Sequence, residues 1–158
     1  TGILTYSRVR SECFVQQGVR LSKIIADVIE LIAPPENINI NFSQTLPEIM
    51  GDETQVRQLF QNLISNAVKF IDKPIGYVDI QHTLEGEFIT ITVTDNGPGI
   101  EEAYFERIFK IFQTLDKKGK STGIGLSIVK KIVELYGGEI YLESEEGKGT
   151  TFFFKIKK

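Results

Sequence analysis

Ile89-Thr90-Ile91-Thr92-Val93-Thr94-Asp95-Asn96-Gly97-Pro98-Gly99-Ile100 decides how the rest of the chain is read. The first six residues alternate apolar and polar, the pattern of a half-buried strand. Successive side chains on a strand point to opposite faces, so Asp95 shares the inward face of Ile89, Ile91 and Val93. A carboxylate placed there is costly unless hydrogen bonds are donated to it. An Asx turn closed on its own loop amides explains it as well as a ligand does. Gly97 and Gly99 favour the ligand, because glycine lets main chain come close where a side chain would obstruct it.

A second glycine pair, Gly123-Ile124-Gly125-Leu126, opens a helical stripe of Ile128, Val129, Ile132, Val133 and Tyr136 that ends at Gly137-Gly138. Exposed amides and the helix dipole make such a start suitable for an anion. The stretch before it, Gln113 to Thr122, is polar and carries Lys117, Lys118 and Lys120, which reads as a lid. Between the two glycine stretches, Phe105, Ile108, Phe109 and Phe112 fall at the spacing of a short helix. Two strands close the chain, Glu139 to Ser144 and Thr150 to Lys157. Thr150 has the parity of Phe152, Phe154 and Ile156, and so faces inward at a strand end.

Upstream, Asp52 is placed to cap a helix whose Val56, Leu59, Phe60, Leu63, Ile64 and Ala67 make one apolar stripe. Asn62, Asn66 and Lys69 fall along one flank of that stripe. Asparagine is a poor helix former, so two of them four residues apart in mid-helix need a reason. Pro74 follows, and Tyr77–Ile80 then pairs with Phe88–Thr94 across Glu85-Gly86. His82, the single histidine, has no nearby triad or metal set and reads as structural or superficial. Earlier still, Phe14–Leu21 is weakly strand-like and Ser22 offers a cap for the stripe Ile24, Ile25, Val28, Ile29 and Ile32, which stops at Pro34-Pro35. Strands are expected over 37–43 and 48–50. Residues 1–13 read as the end of a helix from an upstream module and a linker, and 14–158 as one domain.

The chain has 158 residues, 41% hydrophobic and 25% charged, enough for a substantial core. A net charge of −3 argues against nucleic acid as a partner. Cys13 is the only cysteine, so an internal disulfide is excluded and a reducing, cytoplasmic setting fits. No apolar run is long enough to span a bilayer, although a longer parent could be membrane-bound.

Strands and helices do not alternate as they would in a doubly wound sheet. The expected architecture is an α+β two-layer sandwich, a mixed and mostly antiparallel sheet with helices on one face. Asp95 and Thr150 then face Asn62, Asn66 and Lys69, with the glycine-started helix and the lysine lid closing the remaining side. A nucleoside triphosphate suits such a cavity: base amine to Asp95, phosphates to the Gly123–Gly125 amides, and magnesium near Asn66.

Several of these stretches together resemble the catalytic and ATP-binding domain of two-component sensor histidine kinases. Asn62-Leu-Ile-Ser-Asn66-Ala-Val-Lys69-Phe70 resembles the N-box, Asp95-x-Gly97-x-Gly99-Ile100 the first glycine box, and Phe105–Phe112 the F-box. Gly123-Ile124-Gly125-Leu126 is similar to the second glycine box, and Gly147-x-Gly-Thr150-x-Phe152 to the terminal strand motif. Ile108–Gln113 and Leu4–Val9 look closest to phytochrome-like and hybrid kinases. The resemblance implies the histidine-kinase/gyrase ATPase fold, ATP and Mg2+ as cofactors, magnesium on Asn66, adenine on Asp95 and Thr150 beside the base. It further implies three partners or states: a phosphoacceptor histidine on a helical hairpin, a response-regulator receiver domain, and a homodimer in the full-length kinase. The isolated fragment is expected to be a monomer.

The chain departs from the family pattern in three places. The Ser-His-Glu type phosphoacceptor motif is missing, Thr114 stands where many relatives have an arginine near the γ-phosphate, and the usual proline ending the last strand is absent. Asn62, moreover, occupies the place where gyrase-like and mismatch-repair ATPases carry a water-activating glutamate. An amide is a poor base, so phosphoryl transfer is favoured over hydrolysis, with Lys69 and the lid lysines 117, 118 and 120 on the phosphates. The alternatives are a gyrase-like conformational ATPase, a nucleotide-binding module without catalysis, and a protein-serine kinase on the same fold.

Overall fold

The computed structural model describes residues 17–109 and 125–157. Strand β1 (Gln17–Arg20) runs directly into helix α1 (Leu21–Ile32), which buries Leu21, Ile24, Ile25 and Val28 along one stripe. The cap position falls on Arg20, with no side-chain bond, so Ser22 lies inside the first turn and is not the expected cap. Burying Leu21 at the strand–helix junction sets that boundary. The helix stops at Ala33, which turns left-handed (φ 48°) and donates its N–H to the Ile29 carbonyl immediately before Pro34.

Strands β2 (Ile38–Phe42) and β3 (Glu48–Gly51) follow, then helix α2 (Glu53–Phe70). Asp52 caps α2 as expected, its carboxylate accepting from Thr54 N at 2.8 Å and Gln55 N at 3.2 Å. Strands β4 (Gly76–Glu85) and β5 (Phe88–Asp95) form a hairpin. Glu85 pairs with Phe88, so the two-residue loop is Gly86-Glu87, one position later than the sequence suggested. Helix α3 (Gly125–Leu135) precedes strands β6 (Glu139–Glu145) and β7 (Gly149–Lys157). Its C-terminus closes with Gly138 N on Val133 O and Gly137 N on Glu134 O, both at 3.0 Å, the two bonds of a Schellman motif.

Five strands make one sheet in the order β2-β4-β5-β7-β6, parallel only between β2 and β4. Strands β1 and β3 pair separately and antiparallel. Along the inner face, successive cross-strand rows are Ile91–Phe154–Ile140 and Val93–Phe152–Leu142. These rows pack against the stripes of α2 and α3, where Phe60 meets Phe154 edge to face at 5.8 Å. The outer face carries Thr94 bonded to Thr151 at 3.0 Å and Tyr141 stacked on Phe153 at 4.9 Å. Helices on one face of a mostly antiparallel mixed sheet is therefore the observed arrangement. No helix of the described residues is long and apolar enough to cross a membrane.

The expected helix through Phe105 and Phe109 is instead two 3-10 turns, Glu102–Tyr104 and Arg107–Phe109. Spacing of three residues puts side chains on one face in a 3-10 turn as well as in an α-helix, which is why the pattern misled. The apolar purpose survives: Ile108 is buried and Phe109 meets Phe152 edge to face at 6.2 Å. Phe112 lies outside the described residues.

Candidate functional site

The inner rows end in a polar one. Asp95 pairs with Thr150, and Thr150 with Ser144, so β5, β7 and β6 each deliver one polar side chain at the same end of the sheet. Thr150 is buried, while Asp95 and Ser144 are half-buried. Burial pushes the Asp95 carboxyl above its ordinary value of 3.8. Main-chain N–H groups of Gly97 and Thr150 oppose that shift, followed by the positive charge of Lys73. Asp95 Oδ1 accepts from Gly97 N at 2.9 Å, so the Asx turn anticipated as the bland alternative is present. It engages one carboxylate oxygen, which leaves the group able to serve a ligand as well.

The glycines of this loop have a different immediate task from the one expected. Gly99 is left-handed (φ 79°), and a Cβ there would collide with the Glu145 carbonyl of the β6–β7 turn. Gly149 (φ 134°) is equally constrained, since its Cβ would strike the Asp95 carbonyl. A Cβ at Gly97 would sit 3.0 Å from Asp95 Oδ1 and 3.5 Å from the Phe70 carbonyl. The close approach is thus of main chain to main chain, and it locks the loop between the end of α2 and the β6–β7 turn. Hydrogen bonds complete the lock: Gly147 N to Pro98 O at 2.7 Å, Lys73 Nζ to Gly97 O at 2.9 Å, and Ile100 N to Ser144 Oγ at 2.7 Å. Asn96 turns outward and bonds Tyr77 N and Ile75 O, fixing the start of β4.

Helix α2 joins this end to the other glycine element. Its Phe70 carbonyl adjoins Gly97, and two turns earlier the Asn62 amide lies against the start of α3, where a Cβ on Gly125 would be 3.0 Å from Asn62 Oδ1. Eight residues at 1.5 Å each separate the two contacts by about 12 Å along the helix. Asn66 stands midway and half-buried, with Lys69 exposed beyond it and Phe70 half-buried at the end. Asn62 Nδ2 donates to the Gln58 carbonyl at 2.7 Å, which turns its Oδ1 towards Gly125. Leu126 and Ile100 pack against the core and hold their respective loops. The structure thus brings Asp95, Gly97, Gly99, Ile100, Phe70 and Thr150 together at one end and Asn62 and Gly125 at the other. Gly123, Ile124, Thr114 and the lysines at 117, 118 and 120 lie outside the described residues.

Among the described residues no group of histidine, cysteine or carboxylate side chains could hold a metal ion by itself. One amide oxygen, from Asn66, suits magnesium that arrives already bound by phosphate and water oxygens. His82 is half-exposed on β4 and among the described residues belongs to no metal set. Sequence reading passed over Ser144, although its parity with Ile140 and Leu142 marks it as inward by the same rule that found Thr150.

A locked glycine turn carrying an inward acid, a helix flank of asparagines and a glycine-started helix across from it define an ATPase-type nucleotide-binding domain. The chain belongs to the family of histidine kinase-, DNA gyrase B- and HSP90-like ATPases, whose model matches residues 51–158. It is 44% identical over 161 aligned positions to the phytochrome-like protein Cph1 of Synechocystis sp., covering 98% of this chain and 21% of that protein. Cyanobacterial phytochrome B of Nostoc sp. is 37% identical over 166 positions, covering 98% and 22%. The chain therefore spans about a fifth of the length of these relatives. Among solved structures, full-length ShkA in complex with AMPPNP superposes with a TM-score of 0.84 at 29% identity, over 98% of this chain and 34% of that one. The catalytic domain of the histidine kinase ThkA gives 0.78 at 30% identity, over 92% and 97%. The similarity to phytochrome-like kinases agrees with the narrower resemblance drawn from Ile108–Gln113 and Leu4–Val9.

Proposed function

We propose that this chain is the ATP-binding catalytic domain of a sensor histidine kinase, presenting the γ-phosphoryl group of ATP to a histidine on a dimerisation hairpin. The observation that carries this reading is the α2 flank, which touches the Asp95 turn at one end and Gly125 at the other, with Asn66 between them. A span of about 12 Å suits a base at the first end and a phosphate tail at the second. Asp95 accepts the base amine, Thr150 lies beside it, and the Gly123–Gly125 amides with the lid lysines at 117, 118 and 120 receive the phosphates. Magnesium, held through Asn66 and phosphate oxygens, supplies charge neutralisation at the transferring group. Lys69 stands next to Asn66 on the same flank and adds positive charge.

Asn62 separates transfer from hydrolysis. Its amide gives a hydrogen to the Gln58 carbonyl and has no basic lone pair with which to take a proton from water. The nucleophile is then the partner histidine, and the domain contributes position and electrostatics. A cytoplasmic location and a receiver domain as the next phosphoryl acceptor follow from this role.

The experiment restores a histidine-bearing hairpin to the chain and follows labelled phosphate from ATP. Acid-labile, base-stable label on the hairpin histidine is expected. Acid-stable phosphoserine, or rapid ATP turnover by the domain without any acceptor, would refute the assignment.

A further inference from the structure

Ser144 Oγ stands within hydrogen-bonding distance of three groups and has a single proton to give. Ile100 N is a donor and lies at 2.7 Å, so Ser144 accepts there. The Gly149 carbonyl is an acceptor at 2.9 Å, so the Ser144 proton goes to it. The third neighbour, Thr150 Oγ1 at 2.8 Å, could be donor or acceptor taken alone. With the serine proton already committed, only the threonine proton can lie between the two oxygens. Thr150 then has lone pairs left and no hydrogen to offer. Asp95, its neighbour on β5, is an acceptor when ionised.

We infer that Ser144 is a positioning residue for base selection: it holds the Thr150 hydroxyl with its hydrogen turned away, so that the Asp95–Thr150 end offers acceptors alone. This rests on the proposal that this end takes the base. An amino-bearing ring edge is complementary to such a row, whereas a ring edge with an oxo group in that place puts lone pair against lone pair. Ser144 need not touch the nucleotide; it acts through Thr150. Without the serine hydroxyl, Thr150 regains a hydrogen that can swing towards an oxo group.

The test measures affinity for non-hydrolysable ATP and GTP analogues on wild type, Ser144→Ala, Ser144→Cys, Ser144→Thr and Thr150→Val. Expected is a fall of about tenfold in the ATP:GTP affinity ratio for Ser144→Ala, the worth of one reversed hydrogen bond, with the wild-type ratio restored in Ser144→Thr. Ser144→Cys, close in size but a weak hydrogen-bonding group, lowers the ratio too and serves if the alanine variant does not fold. Equal weakening of both analogues in the alanine and cysteine variants would reduce Ser144 to a structural role and overturn the inference. A ratio that collapses in Thr150→Val but holds in both serine variants overturns it while leaving the base end where it is proposed. A ratio unmoved by Thr150→Val shows that the Thr150 hydroxyl takes no part in base selection and overturns the inference as well, while the Asp95→Asn titration decides whether the base lies at this end.

Discussion

Replacing Asp95 by asparagine separates what this acid does for the fold from what it does for a ligand. Asparagine keeps the shape and can keep the Oδ1 bond to Gly97 N at 2.9 Å, so the turn should survive. Its other terminal atom becomes an NH2 group, a donor facing the donor of a base amine. Losing a charged hydrogen bond at a half-buried site costs about 1.5–3 kcal/mol, or roughly ten- to a hundredfold in affinity. Stability moves the other way. Burial raises the folded-state pKa of Asp95 above 3.8, so the fold prefers the neutral carboxyl. That preference contributes fully below the unfolded-state pKa and is lost as pH rises through the folded-state value. At neutral pH the ionised group is therefore a burden that asparagine lifts. The nucleotide-free Asp95→Asn domain should unfold at higher urea than wild type at pH 7, with the gap narrowing as pH falls through the raised folded-state pKa and closed below about 4. Calorimetric titration with a non-hydrolysable ATP analogue measures the first effect and urea melts the second. Unchanged affinity in a folded variant would refute the placement of the base.

Asn66→Ala should abolish the gain in ATP-analogue affinity that magnesium gives, by about tenfold or more, while affinity measured in EDTA stays close to wild type. Gly99→Ala should lose about 2 kcal/mol or more in chemical denaturation, because left-handed strain (φ 79°) and collision with the Glu145 carbonyl coincide. Gly86→Asn is the control: φ is 60° with open space around it, and asparagine tolerates that conformation, so a change within about 0.5 kcal/mol is expected. Tyr136→Phe removes the acceptor of Asp52 N at 2.9 Å and should cost about 0.5–1.5 kcal/mol in urea melts near neutral pH. Burial raises the Tyr136 phenol above its ordinary value of 10, so its protonated form stabilises the fold and that contribution fades as pH climbs beyond 10. The deficit of the Phe variant should shrink accordingly in alkaline melts.

Parity and periodicity made the architecture legible. The inward positions of Asp95 and Thr150 followed from counting by twos, and the α2 core stripe from counting by threes and fours. Both rules are local, and the sheet and helix obey them because one face of each is buried. What escaped was set by contacts distant in sequence. Gly99 looked like a ligand contact, yet its confinement comes from Glu145, far along the chain, which no local pattern announces. The 3-10 turns at Glu102–Tyr104 and Arg107–Phe109 were mistaken for α-helix because packing Ile108 and Phe109 against the core demands only a spacing both conformations share. Ser144 was overlooked for another reason. A serine near a strand end is unremarkable until its cross-strand partners are known, and those are Thr150 and, through it, Asp95.

Strands β5, β7 and β6 carry Asp95, Thr150 and Ser144 shoulder to shoulder, and that placement has a thermodynamic corollary. Each side chain stands on backbone already immobilised by ladder hydrogen bonds, and the hydroxyls are tied to one another. Their rotamer freedom was surrendered when the chain folded. A flat heterocycle arriving at this end meets groups that require little further ordering, so the entropic toll of capture falls mainly on the nucleotide and whatever closes over its tail.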